Sequence, residues 1–272
     1  MADLGGGCTV PAVKKARIDA VLAQRGLFPS RSAAAGAVRA GEVRIGADGP
    51  VALRPSQLVE PEAPLLVDEG PRFASRGGQK LENALGALDV DIDGRDCLDV
   101  GASTGGFTDC LLQRGAARVV ALDVAYGQIA QSLREDSRVT VIERLNAREL
   151  TPDDLPFAPD LATIDVSFIS LTKILPAVSG CLAPGGEILA MVKPQFELGR
   201  ERVGRGVVHD AADRREAVLA VARAAQGLGL PITGFAPSGL PGPKGNRETF
   251  VRCGGEAEAI ENLEAAIEGV DA

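Results

Sequence analysis

The sequence predicts an α/β fold: a mostly parallel seven-stranded sheet with helices on both faces, preceded by a small α+β module. Three observations predict it. Short apolar runs alternate with segments of helical period through the last two hundred or so residues. The first of these runs, CLDV at 97–100, passes directly into a glycine-rich turn, GASTGG at 101–106. A break rich in proline and carboxylate, EPEAPLLVDEGP at 60–71, sets a short N-terminal stretch apart from the rest.

Taken in order, residues 1–13 carry no apolar period and are expected to be a disordered extension, with no apolar core ahead of a cleavage site that would mark secretion. Residues 14–62 form the small module. Ile18, Val21 and Leu22 share one helical face ahead of a glycine stop at Gly26, Ser30 is an N-cap for a second helix through Val38, and 42–45 alternates as a strand. A linker is expected over 63–74 and the larger domain over 75–272. In the latter, strands are predicted near 96–100, 118–122, 138–142, 160–165, 186–192, 232–238 and 248–253. Helices are predicted near 78–88, 105–115, 127–135, 170–182, 210–229 and 257–269. Strand–helix alternation of this kind builds a parallel sheet covered on both faces.

Composition narrows the function. A chain of 272 residues with 45% hydrophobic content can bury a full core and carry a second module. No apolar run approaches the roughly 18–20 residues of a membrane span. The five cysteines form no CxxC pair and suit a reduced, cytoplasmic setting. A single histidine, His209, leaves a histidine-based triad or zinc site without its parts, and no metal is expected. The net charge of −8 is uneven: residues 1–60 hold eight basic against five acidic side chains, so the head is locally basic on an acidic body.

Ligands of parallel sheets sit beyond the carboxyl ends of the strands. Polar residues stand at five such ends: Asp99, Asp123, Asn146, Asp165 and Lys193. The glycine turn lacks the Lys-Ser/Thr pair of a phosphate-binding P-loop, and Asp99 suits a cationic ligand end. Asp123 closes the second strand, where a carboxylate can accept both hydroxyls of a ribose. A nucleoside bearing an amino acid, S-adenosylmethionine, fits this set. Asp165 and Lys193 interrupt apolar runs at the crevice rim. Burial disfavours a lysine's charged form, and a neutral amine can accept a hydroxyl proton. Lys80, in SRGGQK, and Glu248, in GNRETF, can supply a second ammonium and a second orienting carboxylate.

These motifs together resemble the TlyA (hemolysin A-like) family of FtsJ-type ribosomal-RNA 2′-O-methyltransferases. The resemblance rests on SRGGQKL at 75–81, DVGASTGGFTD at 99–109, DVAYGQ at 123–128 and LNAREL at 145–150. It continues through DVSFISL at 165–171, KPQFE at 193–197, GVVHD at 206–210 and GPKGNRE at 242–248. RIDAVLAQRG at 17–26, SRSAA at 30–34 and GEVRI at 41–45 resemble an S4-type RNA-binding module. The resemblance implies a Rossmann-like methyltransferase domain behind an S4-like domain, methylating cytidines in 16S and/or 23S rRNA on 30S and/or 50S subunits. It implies a Lys80–Asp165–Lys193–Glu248 tetrad with Lys193 as base, and S-adenosylmethionine as cofactor, leaving as S-adenosylhomocysteine. Gly101, Ser103, Thr104, Gly105 and Gly106 would surround the methionine part, Asp123 would bind the ribose, Asn146 and Ala147 would lie by the adenine, and Val124 would also contact the cofactor.

RNA contacts are expected from Lys14, Lys15, Arg17, Arg31, Arg44, Arg54, Arg144 and Arg148, and from Phe168, either as an exposed ring for stacking on a flipped nucleotide or as a core residue. The stretch 199–210, GRERVGRGVVHD, reads as a mobile basic loop beside the site or as a plain connection. Nothing in the pattern demands more than a monomer. A non-catalytic assembly factor would have a broken tetrad, whereas all four residues are present. A membrane-damaging hemolysin would need a spanning or strongly amphipathic cationic segment, and none is seen.

Overall fold

The computed structural model describes residues 15–46, 49–67, 72–242 and 244–270. The predicted extension over 1–13, with Lys14 and Cys8, lies outside them. The chain divides into two units, residues 1–70 and 71–272.

In the first unit a two-residue strand, β1 (Ala16–Arg17), leads into α1 (Ile18–Gln24). Gly26 adopts φ +72°, as the predicted glycine stop requires. Ser30 caps α2 (Arg31–Ala40), its Oγ accepting from the Ala33 amide at 3.2 Å. β2 (Val43–Ile45) follows, then β3 (Leu58–Val59), which pairs with β1, and β4 (Leu65–Val67), which pairs with β2, both antiparallel. Ile18, Val21, Leu22, Ala34, Val38 and Val43 form its core. The expected linker over 63–74 is corrected at both ends. Leu65 is a buried core residue of the head and β4 completes its second ribbon. Phe73 belongs to the larger core, packed so closely that a Cβ at Gly78 would lie 2.4 Å from it. Proline and carboxylate content marked the break without showing that apolar Leu65 and Leu66 between the prolines pair as a strand.

The second unit runs α3 (Arg76–Ala87), β5 (Asp96–Val100), α4 (Gly106–Gln113), β6 (Arg118–Asp123), α5 (Gln131–Arg134) and β7 (Val139–Glu143). It continues with β8 (Leu161–Ile164), α6 (Leu175–Ser179), β9 (Glu187–Val192) and α7 (Pro194–Glu197). It closes with α8 (Ala211–Gly227), β10 (Ile232–Pro237), β11 (Thr249–Gly254) and α9 (Leu263–Glu268). The sheet order is β10-β11-β9-β8-β5-β6-β7. β5 to β9 are parallel, and β11 enters antiparallel between β9 and β10.

Alternate residues of each strand feed two cores. Leu98, Val100, Val120, Leu122 and Ile188 face α6, α8 and α9, whereas Cys97, Val119, Ala121, Leu189 and Met191 face α3 and α4. All seven predicted strands are present. Three predicted helices are shorter than expected. The span 127–135 contracts to α5, and 257–269 to α9. The span 170–182 divides into a 3-10 turn over Leu171–Lys173 and α6, where Pro176 can occupy only the first helical turn. The chain turns back at β5, whose neighbours β6 and β8 leave it on opposite sides; a crevice opens there, beyond the strands' carboxyl ends.

Candidate active site

The glycine turn between β5 and α4 forms one wall of this crevice. Gly101 takes φ +87° and lies against the next strand end, so a Cβ there would sit 2.5 Å from the Asp165 carbonyl oxygen. Gly105 also has positive φ, and a Cβ at Gly106 would lie 2.1 Å from Ser75 Oγ. Gly101, Ser103, Thr104 and Gly106 line a hollow of about 650 Å³. No bulky side chain of the turn fills it, and this leaves a cradle of main chain for a ligand.

The other walls carry four charged side chains, each from a different part of the fold. Lys80 projects from the middle of α3, and Glu248 immediately precedes β11. They form a buried ion pair, with Lys80 7% and Glu248 3% exposed. Asp165 follows β8 and is fixed by its amide, which donates to the Val100 carbonyl at 2.9 Å. Lys193 follows β9, and its Nζ lies 2.5 Å from Asp165 Oδ1. The directed hydrogen bond of that ammonium goes to Ser167 Oγ at 2.9 Å, so Asp165 attracts it chiefly by charge. The structure thus brings all four predicted tetrad residues to one hollow, as two lysine–carboxylate pairs.

The predicted cofactor residues divide. Asp123, at the end of β6, accepts from the Ser103 amide through Oδ2 and the Ala125 amide through Oδ1, both at 2.7 Å. Its carboxylate is thereby held beside the glycine turn. Val124 is 69% exposed next to it. Asn146 borders a second, adjoining hollow, and Ala147 packs against the core. Asp99 corrects expectation. It is fully buried beneath the turn, does not line the hollow, and accepts from Thr108 N at 2.8 Å and Thr108 Oγ1 at 2.7 Å, which anchors α4. Its other oxygen, Oδ1, has no hydrogen-bond partner among the described residues. Burial pushes this carboxyl up to about 7, against the Thr108 bonds. Strand position alone could not distinguish a rim carboxylate from one a residue or two deeper.

The expected RNA contacts also divide. Phe168 is 91% exposed and takes φ +65°, so the core alternative for this ring is excluded. It meets the ring of Phe196 at 5.2 Å, and both line the hollow. Arg148 borders the second hollow, and the guanidinium of Arg144 lies over Tyr126. On the head, buried Asp19 draws Arg17 and Arg31 together, at 2.7 and 3.4 Å, and Arg17 holds its carboxyl down at about 2. Lys15 and Arg54 are exposed, and Arg44 is half-buried. The stretch 199–210 makes side-chain contacts with the rest of its unit. Arg202 pairs with Asp213 and Glu216, and Asn246 accepts from Val208 N at 3.0 Å while donating to the Gly206 carbonyl at 2.8 Å.

Sequence reasoning missed Asn246, Gln195, Phe196 and Glu197, although each lies inside a quoted motif. Glu197 accepts from Ser170 Oγ at 2.6 Å and Leu171 N at 2.9 Å, and so ties the loop after β8 to the segment carrying Lys193. Burial raises its pKa. Among the described residues, no three or more His, Cys, Asp or Glu side chains gather to hold a metal ion.

Residues 73–255 match the family described as FtsJ-like methyltransferase, and residues 16–64 match the S4 domain. The chain is 52% identical over 241 residues to the 16S/23S rRNA (cytidine-2′-O)-methyltransferase TlyA of Mycobacterium tuberculosis, covering 88% of this chain and 89% of that protein. It is 35% identical to Hemolysin A of Brachyspira hyodysenteriae, over 85% of this chain and 97% of that one. A solved structure from Streptococcus thermophilus, provisionally named a hemolysin, superposes with a TM-score of 0.70 at 36% identity, covering 95% of this chain and 96% of the other.

Proposed function

The chain belongs to the FtsJ-like methyltransferase family, and from that premise we propose that it transfers a methyl group from S-adenosylmethionine to the ribose 2′-oxygen of cytidines in ribosomal RNA. One observation carries the proposal: two lysine–carboxylate pairs, Lys80–Glu248 and Lys193–Asp165, meet over the hollow that the glycine turn opens. A ribose hydroxyl needs a base within reach and a group that holds the sugar in line, and the two pairs can supply both.

The residues present fit the cofactor. Gly101, Ser103, Thr104 and Gly106 offer a main-chain wall, and Asp123 stands fixed beside it to accept ribose hydroxyls. When bound, S-adenosylmethionine supplies an activated methyl group on a sulfonium. Lys193, having first given up a proton to solvent, takes the proton of the 2′-hydroxyl at its neutral Nζ. Asp165 and Ser167 hold that nitrogen in place, and Asp165 offsets the positive charge that remains once the proton has moved. Lys80, held in place by buried Glu248, orients the ribose and stabilises the developing negative charge on its oxygen. Much of the acceleration comes from holding two reactants in line. The exposed Phe168 ring stacks on a nucleotide drawn out of its helix. The head, with Arg17 and Arg31 gathered by Asp19, grips RNA phosphates. The protein acts as a monomer in the cytoplasm, on 30S and/or 50S subunits.

The test is tritium transfer from labelled S-adenosylmethionine to separated 30S and 50S subunits lacking endogenous modification. Label in RNA at a cytidine ribose is the expected outcome, and the subunit labelled sets the target range. No label on either subunit, from protein that binds the cofactor by calorimetry, would overturn the proposal and favour an assembly role.

A further inference from the structure

Four cationic side chains line the first hollow: Arg76, Lys80, Lys193 and Lys244. Lys80 and Lys193 have carboxylate partners, and Arg76 donates to the Pro241 carbonyl at 3.5 Å. Lys244 is exposed and makes no hydrogen bond or ion pair among the described residues. Its place is nevertheless a built one. It stands in a turn closed by two main-chain bonds of 2.8 Å, from the Gly242 amide to the Asn246 carbonyl and from the Gly245 amide to the Gly242 carbonyl. The buried side chain of Asn246 clamps this turn to the facing loop at Gly206 and Val208. The stem of Lys244 then crosses Gly206, where φ is +88° and a Cβ would lie 3.1 Å from Nζ and 3.3 Å from Cδ. Glycine at that position leaves room for the ammonium at the edge of the hollow. A cation held there without a counter-ion, beside two that have one, suits an anion that arrives with a ligand.

The topology says which anion. The expected cofactor residues follow β5, β6 and β7, whereas Lys244 lies in the loop from β10 to β11, on the far side of β9 from them. That is the side of Lys193 and Glu248, the half of the site that receives the acceptor. An RNA acceptor brings one anion closest to its reacting oxygen: the phosphodiester on the 3′-oxygen of the same ribose. The negative charge of that group opposes loss of the 2′-proton, because two like charges then stand side by side. Resting on the functional reading above, we propose that Lys244 binds the phosphodiester immediately 3′ of the target ribose, fixing the sugar over the tetrad and easing removal of its 2′-proton. The contact is a charge-assisted hydrogen bond from Nζ to a phosphate oxygen. Its benefit grows as negative charge develops on the 2′-oxygen, so the lysine acts on turnover as well as on binding. Lys244 itself moves no proton.

The experiment compares wild type, Lys244→Gln and Lys244→Arg, each as the full chain, on ribosomal subunits lacking endogenous modification. The position is exposed, so both substitutions leave the core intact. Lys244→Gln is expected to lower kcat/KM roughly 10- to 100-fold, the range for a lost hydrogen bond to a charged group, with part of the loss in kcat. Filter binding over a series of salt concentrations should show a shallower dependence of log affinity on log salt, by about 0.7–0.9 in slope, the share of one phosphate. Lys244→Arg, which keeps the charge, should recover most of both effects. Affinity for S-adenosylmethionine, measured by calorimetry, should match wild type in both variants. Unchanged kcat/KM and salt slope in Lys244→Gln would overturn the proposal, as would a Lys244→Arg protein equally impaired. So would a loss confined to KM, which would place the lysine on a phosphate remote from the reacting ribose. A loss of cofactor affinity would also overturn it, and would assign the lysine to the carboxylate of the cofactor's methionine. Absence of transfer by wild type that binds cofactor would instead overturn the underlying reading, and the phosphate contact with it.

Discussion

At the scale of single residues, the site turns on which charges are paired and which are buried. Lys193 Nζ touches Asp165 and Ser167, and among the described residues it makes no hydrogen bond or ion pair with Asp123 or the glycine turn. Lys193→Ala should therefore lower kcat by about 10²- to 10⁴-fold, the span of general-base catalysis, with cofactor affinity unchanged by calorimetry. A collapse of cofactor affinity with turnover retained would reverse the assignment. Asp99 makes a separate prediction about stability. Its native pKa, pushed to about 7 by burial, lies above the ordinary carboxyl value, so the folded state holds a proton that the unfolded chain releases. The resulting stability is full below pH 4 or so and is lost as pH rises through about 7. Asp99→Asn, which keeps an acceptor for Thr108, should remove that slope. The difference in urea midpoint between the two proteins, followed from pH 4 to pH 8, checks it. Both carboxylates at the ends of β5 and β8 were visible in the sequence as polar residues closing apolar runs. Their depth was not, because it depends on how far each strand runs beneath the turn, and only packing decides that.

At the scale of elements, the glycine turn couples two strands that are not consecutive. Gly101→Ala forces a side chain into positive φ and into the Asp165 carbonyl at once. A loss of about 2–3 kcal/mol in chemical denaturation is expected, together with weaker cofactor binding, because the displaced strand end carries Asp165. Unchanged stability would mean that the turn relaxes without moving β8. Glu197 makes a second coupling, between the loop after β8 and α7. Its raised pKa gives the same sign as Asp99: the proton-linked stability is present at acid pH and lost as pH rises. The strands were legible because each buried strand is a near-continuous apolar run bounded by turn residues. Helix lengths were less so. Pro176 and the wrapping of residues 124–130 around the ends of β6 and β7 cut short segments whose period alone promised more. The tether at Asn246 was hidden for a related reason, since it joins residues some forty positions apart.

At the scale of the whole molecule, two units with separate cores predict separable functions. Removing residues 1–70 should leave cofactor affinity intact, because every residue lining the hollow lies beyond position 74. It should weaken binding to ribosomal subunits, read by filter binding, and unchanged affinity would remove the head from recognition. Family and reaction class were legible from motifs spread along the chain, whereas the pairing of Lys80 with Glu248 was open until the sheet order was known. That order bears on the timing of synthesis. β11 slots between β9 and β10 from the opposite direction and delivers Glu248 to a lysine translated 168 residues earlier. Until β11 has been made and has emerged, the growing polypeptide holds its ammonium without a counter-ion and one flank of β9 unpaired. The Lys80–Glu248 pair is thus among the last parts of the site that synthesis can complete.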